Sequence, residues 1–471
     1  MDIIDTIYID GAFVTPHGTE QFDLHNPATG AVIGRVRLAD AVDARAAIAA
    51  AKRAFPAFSQ TTKEQRIAWL HRLHEMVQAR AADLTEAAIE EYGAPLSRSA
   101  WMADYAADGF LDAARTLEDY DFTRRIGAAK VTMEPLGVVG IITPWNANAG
   151  FICGKLAMVI ASGSTCVIKP SEMSGIQTRI VIEALHAAGL PAGVFNIVNG
   201  RGDVVGAEFS AHRDIAKVSF TGSTAIGRAI LRAGAETMKR VTLELGGKSP
   251  MLILDDADFA QAVPFALMAG YMNSGQACIA GTRILVPESR LAEFETAIAA
   301  AVAGVKSGDP RDPDTAIGPM VSEKQWQRVQ SYIRLGQEEG ATLLAGGEGL
   351  PMGETGGWFV RPTIFTGVSN AMRIAREEIF GPVLSIIPYA DDEEAIAIAN
   401  DTDYGLAAYV AGADPDRARA VADRLVAGNV TINAAPREPL APFGGFRQSG
   451  IGRENGVFGL EAFLEPKVVT G

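Results

Sequence analysis

The chain has 471 residues, 48% hydrophobic and 21% charged, so it can bury a large core without disulfides or metal and is too apolar to be disordered. At roughly 100–200 residues per domain, this length predicts two to four domains. Its 42 basic and 56 acidic residues leave a net charge of −14, which excludes a general nucleic-acid or anionic-membrane surface but not a local site for a small anionic cofactor.

Three cysteines, Cys153, Cys166 and Cys278, are too few for a disulfide framework and suit a reducing compartment. The opening MDIIDTIYIDG is acidic where a signal peptide needs a basic start, and no run reaches 18 uninterrupted apolar residues. The expectation is a soluble cytoplasmic protein.

In chain order, the first predicted helix is the Ala-rich stretch 41–56, behind Asp40 as its N-cap. Residues 63–91 and 99–117 also read as helical. The pattern breaks at 119–125, and AAKVTME (128–134) reads as part of an extended hairpin outside the main core. From 137 onward apolar runs alternate with helical stretches. The runs are GVVGIIT (137–143), TCVIKP (165–170), VFNIV (194–198), AKVSF (216–220) and KRVTLEL (239–245), with helices near 151–161, 176–188 and 223–237. Short apolar runs without alternation suit strands buried on both faces, and their alternation with helices predicts a parallel, doubly wound sheet. Such sheets bind ligands beyond the carboxyl ends of their strands.

After Gly246 the same pattern returns. Strands are expected at 251–255, 282–287, 363–367, 382–390 and 429–433, and helices near 259–273, 288–305 and 392–400. The Gly-rich stretch 345–357 reads as a surface loop, and KVV (467–469) as an edge strand.

Several strand ends carry residues suited to chemistry. Gly200–Gly206 is only a loose approach to a dinucleotide fingerprint. Phe220-Thr-Gly222-Ser223 follows a strand and opens a helix, so it is either a phosphate site or an ordinary junction capped by Ser223. Lys169-Pro-Ser171-Glu172 ends another strand; an acid there can accept from ribose hydroxyls, although a solvated turn capped by Ser171 explains it as well. Cys278 follows Asn273-Ser-Gly-Gln-Ala and is either a candidate nucleophile or a buried small hydrophobe; Cys153 and Cys166 sit in apolar runs and read as small hydrophobes. Glu244 closes an apolar strand before two glycines; it is either a carboxyl that burial raises toward general-base range or a strand-end Glu turned to solvent. Asn146, in Pro144-Trp145-Asn146, is a candidate oxyanion donor or a turn residue. All six histidines precede residue 213, and His71 and His74, on one helix face, lack the carboxylate or Cys company of a metal site. A nucleophilic Cys278 would therefore take a carboxylate as its base.

Together these patterns resemble the aldehyde dehydrogenase family. The matching stretches are PWN (144–146), KPSE (169–172), FTGSTAIG (220–227), LELGGKSP (243–250), GQAC (275–278), EEIFGPV (377–383) and PFGGFRQSGIGRE (442–454), in that order. The resemblance implies an α/β fold with a Rossmann-like cofactor domain (1–117 with 137–245), an α/β catalytic domain (246–445), and a small bridging β-sheet for oligomerisation (118–136 with 455–471). It implies Cys278 as nucleophile, Glu244 as the base that activates water, Asn146 as oxyanion donor, and Lys169 in both the catalytic and the cofactor set. NAD would be held by Trp145, Lys169, Ser171, Glu172, Gly202, Gly222, Ser223, Gly227, Leu245, Glu378 and Phe380. Glu172 favours NAD over NADP, with NADP possible, and Glu244 favours hydrolysis over transfer of the acyl group to coenzyme A. The substrate, a small-molecule aldehyde, would meet Ala147, Gly150, Ala277, Ile279, Arg437 and Phe443. Arg437 would meet a carboxylate if the substrate is a semialdehyde; otherwise it is a solvated Arg paired with Glu438. The implied assembly is a homodimer or homotetramer, with neither nucleic acid nor membrane as partner. The alternative from another class is a non-catalytic binding protein on the same fold.

Overall fold

The alternation beginning near residue 137 folds into two doubly wound sheets. The structure, a computed structural model, describes residues 2–354 and 356–471. The first sheet has eight strands, and its centre is parallel: Arg240–Glu244, Ile215–Thr221, Val138–Ile142, Thr165–Lys169 and Phe195–Ile197, in that spatial order. Val138–Ile142 and Thr165–Lys169 are buried at every position, which is why they read as unbroken apolar runs. The hairpin Ile7–Ile9 and Ala12–Val14 extends one edge, and Gly450–Ile451 pairs antiparallel with Arg240–Glu244 at the other. The helix Ala41–Phe58 starts from a capping box between Asp40 and Asp43 and packs Ala44, Ala47 and Ala51 onto this sheet.

The second sheet has seven strands. Thr363–Thr366, Val383–Tyr389, Arg283–Pro287, Pro250–Ile253, Ala407–Ala411 and Asn429–Ile432 run parallel, and Thr342–Ala345 adds an antiparallel edge. Sequence reading missed Ala407–Ala411, although it lies inside the sheet. Its three alanines carry little strand propensity, and the strand is held by neighbours on both sides. The helices Glu323–Glu338 and Pro415–Ala422 were also missed: the first is predominantly polar, and the second is only eight residues long and opens on a proline. The predicted helix 63–91 is two helices, Lys63–Gln78 and Ala81–Tyr92.

A third sheet joins Thr123–Ile126, Ala129–Pro135 and Leu464–Thr470, the last two in register from Pro135 opposite Leu464 to Thr470 opposite Ala129. Only the end of 455–471 belongs to it. Gly456–Glu461 is a helix, because Leu460 is fully buried in the core around the first sheet. Asp2–Ile4, Gln21–His25 and Val32–Arg37 form a further three-stranded sheet. The Gly-rich stretch is irregular from 346 onward, with Thr355 outside the described residues. Among the described residues no helix is long and apolar enough to cross a membrane.

Candidate active site

The carboxyl edge of the first sheet faces the loop that carries Cys278. Val138–Ile142 leads into Pro144-Trp145-Asn146, and Asn146 Nδ2 donates to the carbonyl of Gln276 at 3.0 Å. Asn273 Nδ2 donates back to the Asn146 carbonyl at 3.0 Å and to that of Gln276 at 3.2 Å. One N–H of Asn146 thus ties strand end to loop, and the amide's second hydrogen remains for the cleft.

The Cys278 loop is bent sharply. Asn273, Ser274 and Gly275 all have left-handed φ (56°, 59° and 73°), a conformation that costs a non-glycine residue about 1 kcal/mol or more. Side chains clamp it: Ser274 Oγ accepts from Gly318 N at 2.9 Å, and Gln276 Oε1 accepts from Val321 N at 3.0 Å. Gly247 permits close approach, since a Cβ there would lie 2.4 Å from the Cys278 carbonyl oxygen. Cys278 is half-buried, whereas Cys153 and Cys166 are fully enclosed. Burial pushes the Cys278 thiol up to about 12, and the carboxyls of Glu378 and Glu244 add to the shift.

Glu244 ends its strand only 2% exposed, and neither carboxyl oxygen has a partner. Burial, and next the Glu454 carboxylate, raise its pKa; Lys155 and Arg453 oppose them. Lys155 is ion-paired with Glu454 and donates to Ser219 Oγ at 3.0 Å. Gly444 makes room for the base: a Cβ there would lie 2.7 Å from Glu244 Oε1.

Two clefts meet at this point. Counting all space between the walls out to open solvent, the larger, about 1040 Å³, is lined by Ala147, Gly150, Ala277, Ile279, Arg437 and Phe443, and by Arg98, Trp101, Tyr105, Met158 and Phe463. The smaller, about 950 Å³, is lined by Trp145, Gly222, Ser223, Leu245, Glu378 and Phe380. Asn146, Phe151, Thr221, Glu244 and Cys278 line both, so they form a common floor.

On the smaller side, Ser223 caps the helix Thr224–Ala235, accepting from Ile226 N at 3.5 Å, and Gly227 packs against Leu245. The Glu378 carboxylate accepts from Gly247 N at 3.2 Å, and the Phe380 ring stands edge-on to Trp145 with centroids 5.5 Å apart. Lys169, Ser171, Glu172 and Gly202 do not line the Cys278 chamber. Lys169 Nζ donates to Glu172 at 3.0 Å, Ser171 Oγ accepts from Met173 N at 3.3 Å, and Gly202 opens the turn after Phe195–Ile197. The structure therefore separates Lys169 from Cys278 and groups it with the outer residues.

Strand order puts Glu244, Thr221, Asn146, Lys169 and Gly202 in succession along one carboxyl edge. A dinucleotide fits this layout. The Ser223 turn offers a helix N-terminus for the diphosphate, the smaller cleft has mixed polar and aromatic walls, and Glu172 stands two strands from Thr221. At the mouth of the larger cleft Arg437 is exposed, its guanidinium 5.4 Å from the centroid of the Phe443 ring.

Sequence reading missed the Lys155–Glu454 pair and the wall of Arg98, Trp101, Tyr105, Phe151, Met158 and Phe463. A lone Lys inside NAGFICGKLAMVIAS was a visible signal for Lys155, because a buried charge needs a partner. Trp101 and Tyr105, four apart on a helix and stacked at 4.9 Å, were also detectable as a pair.

Residues 13–469 match the family described as the aldehyde dehydrogenase family. The chain is 46% identical over 466 residues to a 3-succinoylsemialdehyde-pyridine dehydrogenase from Pseudomonas sp, covering 98% of each. It superposes with a TM-score of 0.97 and 45% identity on an aldehyde dehydrogenase C mutant from Pseudomonas syringae, solved with NAD+ and octanal, over 99% of this chain and 96% of that one. A betaine aldehyde dehydrogenase from Staphylococcus aureus, solved with NAD+, matches with a TM-score of 0.96 and 37% identity over 99% of this chain and 94% of that one.

Proposed function

The chain belongs to the aldehyde dehydrogenase family and oxidises an aldehyde with NAD, and we propose that it does so through Cys278, Asn146 and Glu244 on the floor shared by the two clefts. The juxtaposition of those three side chains is the observation that carries the reading. The Cys278 thiol gives up its proton to water in the cleft, and Sγ adds to the aldehyde carbon. The carbonyl oxygen takes the negative charge, and the free N–H of Asn146 and the backbone N–H of Cys278 stabilise it. Bound NAD supplies the acceptor for the hydride that leaves this carbon. What stays on Cys278 is a thioester. Glu244 takes a proton from water, whose oxygen attacks the thioester carbon; the Cys278 sulfur leaves and the carboxylic acid is released. The net change is aldehyde, water and NAD+ to acid, NADH and a proton.

The remaining assignments rest on the same layout. The cofactor unit comprises 1–117 with 137–245, the catalytic unit 246–445, and the outer residues Lys169, Ser171, Glu172 and Gly202 hold the adenosine end. A carboxylate at Glu172 repels a 2′-phosphate, which favours NAD over NADP. Subunits associate as a homodimer or homotetramer through the three-stranded sheet, in the cytoplasm. The support is the exposure of Ile126 (70%), Val468 (60%) and Val469 (57%) on that sheet, apolar surface that a partner would cover.

The test is Cys278→Ala, assayed for NADH absorbance with a panel of aldehydes. NADH production is expected to vanish while NAD still binds, read by tryptophan fluorescence. NADH formed at the normal rate would overturn the mechanism.

A further inference from the structure

The larger cleft contains a cation that no carboxylate among the described residues pairs with. Arg98 lies in the first turn of the helix Leu96–Glu118 and shares the cleft lining with Cys278. Its guanidinium stacks on Trp101, 3.9 Å from the ring centroid, and Trp101 stacks in turn on Tyr105. Stacking fixes the plane of the guanidinium but satisfies none of its five N–H donors. Arg98 Nε is sealed from solvent without a partner, and among the described residues no carboxylate pairs with this side chain. Burial lowers the Arg98 pKa, and the Tyr92 and Tyr105 hydroxyls oppose that shift; a guanidinium stays charged in either case.

Arg66 and Arg283, both buried, show how this fold treats a guanidinium it uses only for structure. Arg66 donates to Thr61 and to the carbonyls of Ser59, Thr61 and Ala161. Arg283 donates to Asn370 and to the carbonyls of Lys248, Ile398 and Ala399. Arg98 departs from that pattern at the wall of a cleft: the residue is half-buried, its Nε is sealed without an acceptor, and no protein partner completes the rest of its fork among the described residues. An unsatisfied donor on a cation is costly unless a ligand completes it.

We infer that Arg98 anchors a carboxylate at the far end of the substrate, so that the aldehyde oxidised here is an ω-carboxylated aldehyde, the semialdehyde of a dicarboxylic acid. A planar, pre-oriented guanidinium fork takes a carboxylate through two parallel charge-assisted hydrogen bonds. The inner cleft favours this charge. Lys155 is already paired with Glu454, and burial disfavours the charged form of Glu244. Farther out, Asp104, Asp108 and Asp112 line the approach and are the argument for a cationic aldehyde. Asp104 and Asp108 are exposed, where salt screens them, and Asp112 pairs with Arg115, so the unpaired inner cation decides.

This inference rests on the aldehyde-oxidising reading, and the experiment separates the two. Full-length enzyme with NAD is assayed on semialdehydes of four to eight carbons, on the n-alkanals of equal length, and on 4-trimethylammoniobutanal. The best semialdehyde is expected to exceed its alkanal by at least about tenfold in kcat/KM, mainly through KM, as loss of a charge-assisted pair implies. Arg98→Met is expected to collapse that ratio to near one, and Arg98→Lys to retain part of it. A ratio unchanged in Arg98→Met, or a preference for the cationic aldehyde, would overturn the inference. Calorimetry of the dicarboxylate products on Cys278→Ala, with and without Arg98→Met, reads the anchor without turnover. Binding lost with Arg98 supports it, and no binding at any length overturns it. Absence of NADH from every aldehyde, alkanals included, would instead sink the parent reading.

Discussion

The two clefts share a floor and differ in how they are built. The smaller is lined largely by residues just beyond strand ends: Trp145 and Asn146 after Val138–Ile142, Gly222 and Ser223 after Ile215–Thr221, Leu245 after Arg240–Glu244. Backbone bonds at the strand ends anchor several of them, as from Gly222 N to the Glu244 carbonyl at 3.0 Å and from Leu245 N to the Ser449 carbonyl at 2.9 Å, so this lining is tied to the sheet. The larger cleft is walled by helix faces and loops: Arg98, Trp101 and Tyr105 from one helix, Gly150 and Met158 from another, Arg437 and Phe443 from a late loop. Side chains on such walls exchange at lower cost. The reaction is thus held by the sheet edge, and substrate choice by surfaces that can change around it.

Substitutions on the common floor should therefore cripple turnover with every aldehyde, and the largest expected effect is at the base. Glu244→Gln removes the group that activates water but leaves Sγ and the oxyanion donors in place. Steady-state NADH formation is expected to fall by about 10²–10⁴-fold, while a rapid-quench experiment still shows a burst of about one NADH per site. Loss of the burst as well would move Glu244 into the first chemical step. Asn146→Ala should be next, at about 10²–10³-fold in kcat with little change in KM, because its free N–H meets charge that develops only as the carbonyl oxygen becomes an oxyanion. The deficit should be the same for long and short aldehydes. A deficit that depends on chain length would mean that Asn146 acts through the substrate wall, and the division between floor and wall would fail.

The same contrast explains what the sequence disclosed. The strands of the first sheet were legible because both faces are buried, leaving short apolar runs, and the residues at their ends were legible because strand-to-turn junctions are local in sequence. Cys278, Glu244 and Asn146 come from positions 146, 244 and 278, yet each stands in its own local motif. Arg98 was not legible. In PLSRSAW it reads as a solvated helix residue, and only the fold shows that its plane lies on Trp101 and that it lacks an acceptor. Lys155 and Glu454 stand 299 residues apart, and their pairing depends on the late return of Gly450–Ile451 to the first sheet. Ala407–Ala411 was missed for the reverse reason, since tertiary neighbours and not its own alanines make it a strand.

The smallest effect tests whether the two clefts are separable at all, because Glu378 lines only the smaller one while its charge reaches Cys278. Burial is the main reason the thiol stands near 12, and the Glu378 carboxylate is the next. A negative neighbour disfavours a thiolate, so removing it lowers the thiol's pKa. At any pH below that value the thiolate fraction rises tenfold for each unit by which the pKa falls. Glu378→Gln should therefore speed alkylation of Cys278 by iodoacetamide at pH 8, by less than about tenfold because burial is untouched. The alkylation profile should shift toward lower pH without changing its plateau. An unshifted profile would mean that the Glu378 charge is screened from the sulfur and that the clefts are electrically independent. A shift toward higher pH would mean that losing the Glu378 hydrogen bond to Gly247 N has closed the Cys278 loop more tightly, since Gly247 packs directly on the Cys278 carbonyl.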